Sequence, residues 1–483
     1  MCARTLDVRG GHLAIRDDAP DVASSGHISA TEPALTSRSS LDRRTFLRGA
    51  GAGALLSAAG VRPASASQLA AGIPGQEQVF DFDEELDRFG THCVKWDGAV
   101  QDTGVPIEFA MGVADMDFRA APCITRALAE RCQHEVWGYL RRPAEYSEAV
   151  ADWNQRRYGL EIDPGSLVWT TGVHPGLIAA LQTFSPPGSR VLMTTPVYSG
   201  FYTDLRFTRT ITEDSPMVMV DGRYEIDFDD FERRAARCHA FILCNPHNPT
   251  GNCWSEEDLL RMGEICLRHG VVVLSDEIHC DFVNEGETYT PFAALPDRDI
   301  VDNSLTFKAA SKSFNLAALK VSWWFTTNPA FETRTRANSR ADLPTLGLAA
   351  NHAALTEGEP WLEQAVAYLN ENQDFAADYI AQRLPSVRHR KAQGTYLAWL
   401  DMSEIIDAID AVAIAAEQTA SGSEVVGPED VLQQWIAEHA GVFLGPGNDY
   451  GTGGAGFMRM NLGTQRHRIR MAIDSIADAV ATL

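Results

Sequence analysis

Long apolar runs are missing from this chain. None reaches the roughly 18 consecutive residues that a membrane-spanning helix needs, so no span is expected. Basic residues are scarce as well: lysine and arginine total 41 against 65 aspartates and glutamates, a formal net charge of −24. So acidic a balance disfavours phosphate backbones and anionic lipid surfaces, which argues against a nucleic-acid partner. The 9 cysteines are scattered, with no C-x-x-C pair and no His/Cys cluster at metal spacing, so a metal site is not expected and disulfide pairing stays open. There is no internal repeat. What remains is the composition of an ordinary globular protein. Its 483 residues are too many for one simple core and suggest a large α/β unit with a smaller domain.

Residues 1–78 carry no core pattern. The first forty are rich in Ser, Ala, Asp and Thr without helical or strand period, so disorder is the expectation. Asp42-Arg43-Arg44-Thr45-Phe46-Leu47-Arg48 then precedes a Gly/Ala/Leu run, Gly49–Val61, and Ala64-Ser65-Ala66. Paired arginines, a short weakly apolar region and an A-x-A site resemble a twin-arginine export signal. Asp42 stands where Ser or Thr is usual, and Arg48 where Lys is common. Export is expected; the alternative is a cytoplasmic protein with a polar tail.

From Val79 the pattern becomes globular. Phe80–Trp96 reads as an amphipathic opening, Ile107–Phe118 as a strand into a loop, and Cys123–His134 and Tyr146–Tyr158 as helices. Strands are predicted at Leu167–Thr171, Arg190–Thr194, Ala240–Cys244, Val271–Ser275 and Ser322–Thr326, with helices such as Leu177–Phe184 and Glu256–His269 between several of them. That alternation implies a mostly parallel sheet covered on both faces. Beyond Pro329 long helical runs take over, notably Trp361–Leu384, then a strand Thr395–Leu400 and a closing helix Arg466–Ala481. Asp407–Gly427 reads as a polar insertion. The division expected is 1–78 leader, 79–330 arm and large domain, 331–483 small domain.

The chemistry centres on Ser304–Lys320, SLTFKAASKSFNLAALK. Lys312 sits in a small-residue loop (Ala309, Ala310, Ser311) flanked by apolar residues. It is either a surface lysine before a helix or a partly desolvated amine, neutral often enough to attack an aldehyde. Thr171-Gly172-Val173-His174 is a strand–Gly–helix turn whose backbone N–H groups suit an anion. Asp276 follows the apolar run Val271–Leu274 and is either a helix cap or a buried carboxylate.

Four stretches choose between these readings: Cys244–Gly251 (CNPHNPTG), Ser275–Asp281 (SDEIHCD), SKSFNLAALK and Gly456–Asn461 (GFMRMN). Their order and spacing resemble the pyridoxal-phosphate enzymes of fold type I, the class I/II aminotransferase superfamily. ADMDF (Ala114–Phe118), KWD (Lys95–Asp97), WGY (Trp137–Tyr139) and SDEIH resemble its MalY/PatB branch of cystathionine β-lyase-like C–S lyases. The resemblance runs from about Val79 to the C-terminus. It implies pyridoxal 5′-phosphate held on Lys312, with Gly172, Val173, His174, Ser311 and Lys320 at the phosphate. The hydroxyl common three residues before the lysine is missing at Ala309; Ser311 or Thr306 could replace it. Asp276 would keep the pyridine nitrogen protonated, Asn248 and His279 would face the ring oxygen, and Tyr198 would stack on the ring as cofactor contact and catalytic residue. Arg459 would take the substrate carboxylate, and Tyr139 would reach the phosphate of the partner in a homodimer. The implied reaction is β-elimination of L-cystathionine or an L-cysteine S-conjugate to pyruvate, ammonia and a thiol. The alternative is an aminotransferase on the same scaffold. A third reading, a regulator behind a DNA-binding module, finds no helical pair in the leader.

Overall fold

The computed structural model describes residues 78–422 and 425–483; the leader and its Arg43-Arg44 pair lie outside the described residues. Seven strands form the central sheet: β1 Val168–Thr170, β2 Arg190–Thr195, β3 Ile211–Pro216, β4 Cys238–Cys244, β5 Val272–Asp276, β6 Ser304–Lys308 and β7 Ser322–Phe325. Their spatial order is β1-β7-β6-β5-β4-β2-β3. Neighbours from β6 through β3 are parallel, and β7 runs antiparallel to both β1 and β6. The parallel pairs require crossovers, which helices such as Gly200–Thr208 and Glu256–His269 supply. The α/β architecture expected of fold type I is therefore present.

Local chemistry explains the elements. Glu256–His269 starts at Ser255, whose side chain accepts from the Asp258 N–H at 3.0 Å, and carries three acids in its first turn. Arg268 and His269 stand in its last turn, and Gly270 closes it in the left-handed conformation at φ 67°. β4 and β5 are apolar on both faces because helices cover both, so Ala240–Leu243 and Val273–Leu274 are fully buried.

A second sheet comprises β8 Arg388–His389, β9 Leu397–Asp401, β10 Gly445–Pro446 and β11 Phe457–Asn461 in the order β8-β9-β11-β10, all antiparallel. The long helix Glu359–Arg383 lies along the closing helix Arg466–Val480, tied by Tyr379 and Arg383 donating to Asp474 at 2.8 Å each.

Several sequence expectations change. The opening segment Phe80–Trp96 is mostly irregular, with a short helical turn, Val94–Gly98, at its end. Ile107–Phe118, expected as a strand into a loop, has a strand of only two residues, Phe109–Ala110, and the carbonyls beyond it accept from side chains. That strand pairs in parallel with Val442–Phe443, so the arm packs against the C-terminal part of the chain. Asp407–Gly427 is no polar insertion: Ala411–Ser421 is a helix burying Ala411 and Ala415.

Candidate active site

The carboxyl ends of β2, β4, β5 and β6 open onto one cavity of about 690 Å³. Crevices beyond strand ends are where open α/β sheets place their ligands. Lys312 reaches it from the turn after β6, in a four-residue helix, Ala310–Ser313. Its Nζ donates to the Ala114 carbonyl at 2.6 Å. Burial, with Arg459 nearby, pushes its pKa down to about 8, so the amine is neutral far more often than a surface lysine. The partly desolvated amine read from the sequence is thus present.

Asp276 ends β5 and is buried, accepting only from the Ile278 N–H at 3.1 Å. Burial pushes its carboxyl up to about 7, with His174 opposing. A carboxylate under such stress gains most from a protonated nitrogen beside it. His174 stands in the first turn of the helix Val173–Phe184, whose N-cap is Gly172, and its Nδ1 donates to Asp204 Oδ2 at 2.7 Å. The Asp204 contact raises the imidazole pKa against its burial. His174 Nε2 lies 3.3 Å from the Tyr198 hydroxyl. Gly200 permits that approach, since a Cβ there would stand 2.5 Å from both the His174 and Tyr198 rings. Burial raises the Tyr198 pKa, which keeps the hydroxyl protonated.

Arg459, on β11, is buried. Its Nη1 donates to Asn248 Oδ1 at 3.1 Å and its Nη2 to the Gly112 carbonyl at 2.6 Å, while its Nε has no partner among the described residues. His279 is buried with Nδ1 unpaired, and burial, with Lys312 and Arg459 adding, drives its pKa well below the ordinary histidine value. It is therefore a neutral imidazole.

Gly172, Val173, His174, Tyr198, Asn248, Asp276, His279, Ser311, Lys312, Lys320 and Arg459 all line this cavity. Tyr139 does not: it is fully exposed and borders a separate cavity near Trp169 and Arg336. Thr306 is buried within β6, away from the lining, so of the two hydroxyls weighed as replacements Ser311 is the one that borders the cavity. Sequence reasoning missed Asp204, which orients His174, and the segment 112–117 that holds Lys312 and Arg459. Asn461 donates to the Val113 and Asp115 carbonyls at 2.6 Å each, and Tyr396 donates to the Ala114 carbonyl at 3.0 Å. Lys95, fully buried, donates to Asp117 at 2.7 Å and to the Asp115 carbonyl at 3.1 Å.

The aminotransferase class I and II profile matches residues 106–476. The chain belongs to the aminotransferase class I and II family. Within that family it is 39% identical over 390 residues to cystathionine beta-lyase PatB of Bacillus subtilis (strain 168), covering 79% of this chain and 95% of PatB. It is 31% identical to protein MalY of Escherichia coli (strain K12), covering 83% and 99% of the two chains. The PLP-bound C-S lyase from Staphylococcus hominis superposes with a TM-score of 0.75 at 30% identity, covering 83% of this chain and 98% of that one. For a member of the aminotransferase class I and II family the donor set is coherent. An aldehyde-seeking amine, a helix N-terminus, a stressed carboxylate and two unpaired buried nitrogens fit a phosphorylated pyridine aldehyde and an amino acid.

Proposed function

We propose that the protein is a pyridoxal 5′-phosphate-dependent C–S lyase that eliminates the sulfur substituent of L-cystathionine or an S-substituted L-cysteine. The observation that carries this reading is the convergence of Lys312, Asp276 and Arg459 on one cavity. The extended likeness to PatB turns it toward elimination. When bound, pyridoxal phosphate supplies an aldehyde for the lysine and a ring that accepts the electrons released at Cα.

The chain's residues do the rest. The N-terminus at Gly172–His174, with Ser311 and Lys320, holds the phosphate. Asp276 would retain the proton on the ring nitrogen, and Asn248 and His279 would hold the ring oxygen. Arg459 exchanges its Asn248 contact for the substrate carboxylate, its unpaired Nε completing a two-point grip. Lys312, held near pKa 8, takes the Cα proton. Tyr198, kept protonated by burial, would offer its hydroxyl to the departing sulfur. The C–S bond breaks, the thiol leaves, and water converts the three-carbon remainder to pyruvate and ammonia. Pyruvate formed without a keto-acid acceptor tests the reading.

Transamination is the second reading, favoured by the family match and by similarity to a PLP-bound putative aminotransferase from Clostridium difficile 630 (31% identity, TM-score 0.75). We also propose a homodimer. Val136, Trp137, Tyr139 and Leu140 form an exposed apolar run, and Tyr139 stands away from its own cavity, as a residue serving the partner's phosphate would. Export through Arg43-Arg44 remains our reading of the leader; its test is secretion of the Arg43→Lys/Arg44→Lys chain, which should fail.

A further inference from the structure

A second cavity of about 350 Å³ lies between the hairpin strands Val218–Val220 and Arg223–Glu225, the residues of β8, and the strand pair β9/β11. Its aromatic wall is fixed. Trp399 and Phe457 stack at 5.1 Å between ring centroids with 5° between their planes, and the Trp399 indole donates to the Tyr224 hydroxyl at 3.1 Å. Tyr224 and Trp399 are buried, while Phe457 is half-buried at the cavity.

The charge at this cavity is opposite to that of the protein. Arg223, Arg388, Arg390 and Lys391 line it in a chain of net charge −24. Asp401, the acid on the lining, is already taken up by Arg388 at 2.6 Å and by the Ser403 hydroxyl at 2.6 Å. Lys391 is paired with Asp374. Arg223 has only a long 3.4 Å contact to Glu287, which also accepts from Gln393 at 2.8 Å. Arg390 donates to the Asp221 carbonyl and has no carboxylate partner among the described residues. Burial and then the neighbouring Arg390 charge lower the pKa of Arg223, with Glu287 opposing.

We propose that this cavity binds a small anion carrying a flat ring, its charge held by Arg223 and Arg390 and its ring against the Trp399–Phe457 wall. Guanidiniums match carboxylate and phosphate oxygens, and aromatic faces hold planar rings without demanding polar partners. The volume is of the size that small-molecule pockets have. Nothing in this inference depends on the reaction catalysed in the first cavity.

Holoenzyme, with its first cavity filled by cofactor, is titrated by calorimetry with phenyl phosphate, benzoate, inorganic phosphate and benzyl alcohol. Phenyl phosphate or benzoate should bind once per chain, at least tenfold tighter than inorganic phosphate or benzyl alcohol; whichever of the two is tighter identifies the anion. Arg390→Gln, at an exposed position, should weaken binding at least tenfold with the cofactor absorbance unchanged, and Arg223→Gln should do the same. No saturable binding, equal affinity for the ring-free anion, or undiminished binding to Arg390→Gln would overturn the proposal.

Discussion

Arg459 donates to the side-chain carbonyl of Asn248 at 3.1 Å, so the residue proposed to take the substrate carboxylate is tied to one proposed for the cofactor ring. Substrate binding must exchange that bond. Arg459→Ala removes a charge-assisted grip, and kcat/KM should fall by about 10²–10³-fold, the loss of roughly two hydrogen bonds to a charged group. Steady-state kinetics with an amino-acid substrate measures it; a loss under threefold would remove Arg459 from the substrate site.

Lys312 gives a prediction that can be read without turnover. Its amine is pushed down to about 8, chiefly by burial and secondarily by Arg459. The neutral fraction therefore rises through pH 8 instead of near the ordinary lysine value. The rate at which apoprotein takes up pyridoxal phosphate should climb with pH along that midpoint. Arg459→Met removes the neighbouring positive charge and should move the midpoint upward. Borohydride should fix the cofactor to wild-type protein at Lys312, and Lys312→Ala should yield no adduct.

The Lys95–Asp117 pair predicts a stability effect. Burial opposes the Asp117 charge, yet Lys95, with help from Trp96 and Arg88, holds its carboxyl below the usual range. A carboxyl depressed in the folded state stabilises it above its unfolded pKa, and that contribution is lost as pH falls through the folded value. Lys95→Met leaves the buried Asp117 carboxylate to Arg88 at 2.7 Å and Trp96 at 3.0 Å, and losing the ammonium's hydrogen bond should cost about 1.5–3 kcal/mol in urea unfolding near neutral pH. Because Lys95 also grips the Asp115 carbonyl, the 112–117 segment should loosen, and the Lys312 midpoint should shift with it.

The parts of the site legible in the sequence were those with chemistry written into a side chain at a strand end. Asp276 follows an apolar run, Asn248 and Arg459 sit in short distinctive motifs, and Lys312 is a cation among small residues. The carbonyls of Gly112 and Ala114, which hold Arg459 and Lys312, leave no such trace, because every residue carries a carbonyl. Asp204 was invisible because it meets His174 from another helix 30 residues away. Two strands of the central sheet were missed for a related reason. Ile211–Pro216, an edge strand reading ITEDSP, alternates weakly, and Ser304–Lys308 buries Ser, Thr and Lys where an apolar run is expected. Lys308 is accommodated by Asn154 at 2.8 Å and by the Tyr158 ring at 4.1 Å, partners too distant in sequence to anticipate.

The last prediction separates elimination from transamination. Lys312 and Arg459 serve both reactions, since both begin with loss of the Cα proton from a carboxylate-anchored amino acid. The outcomes then diverge. In transamination the enzyme would retain the amino group and stall until a keto acid accepted it. In elimination the electrons expel the Cβ substituent, and nothing else is needed. Sulfur on Cβ is a capable leaving group, and Tyr198, kept protonated by burial, stands ready to neutralise it. L-cystathionine and water should therefore give homocysteine, pyruvate and ammonia in equal amounts, over many turnovers, with no keto acid added. Tyr198→Phe keeps the ring face but removes the proton source, so it should slow thiol release by about 10²–10⁴-fold while cofactor absorbance persists. Turnover that required a keto acid and left the C–S bond intact would make the protein an aminotransferase instead.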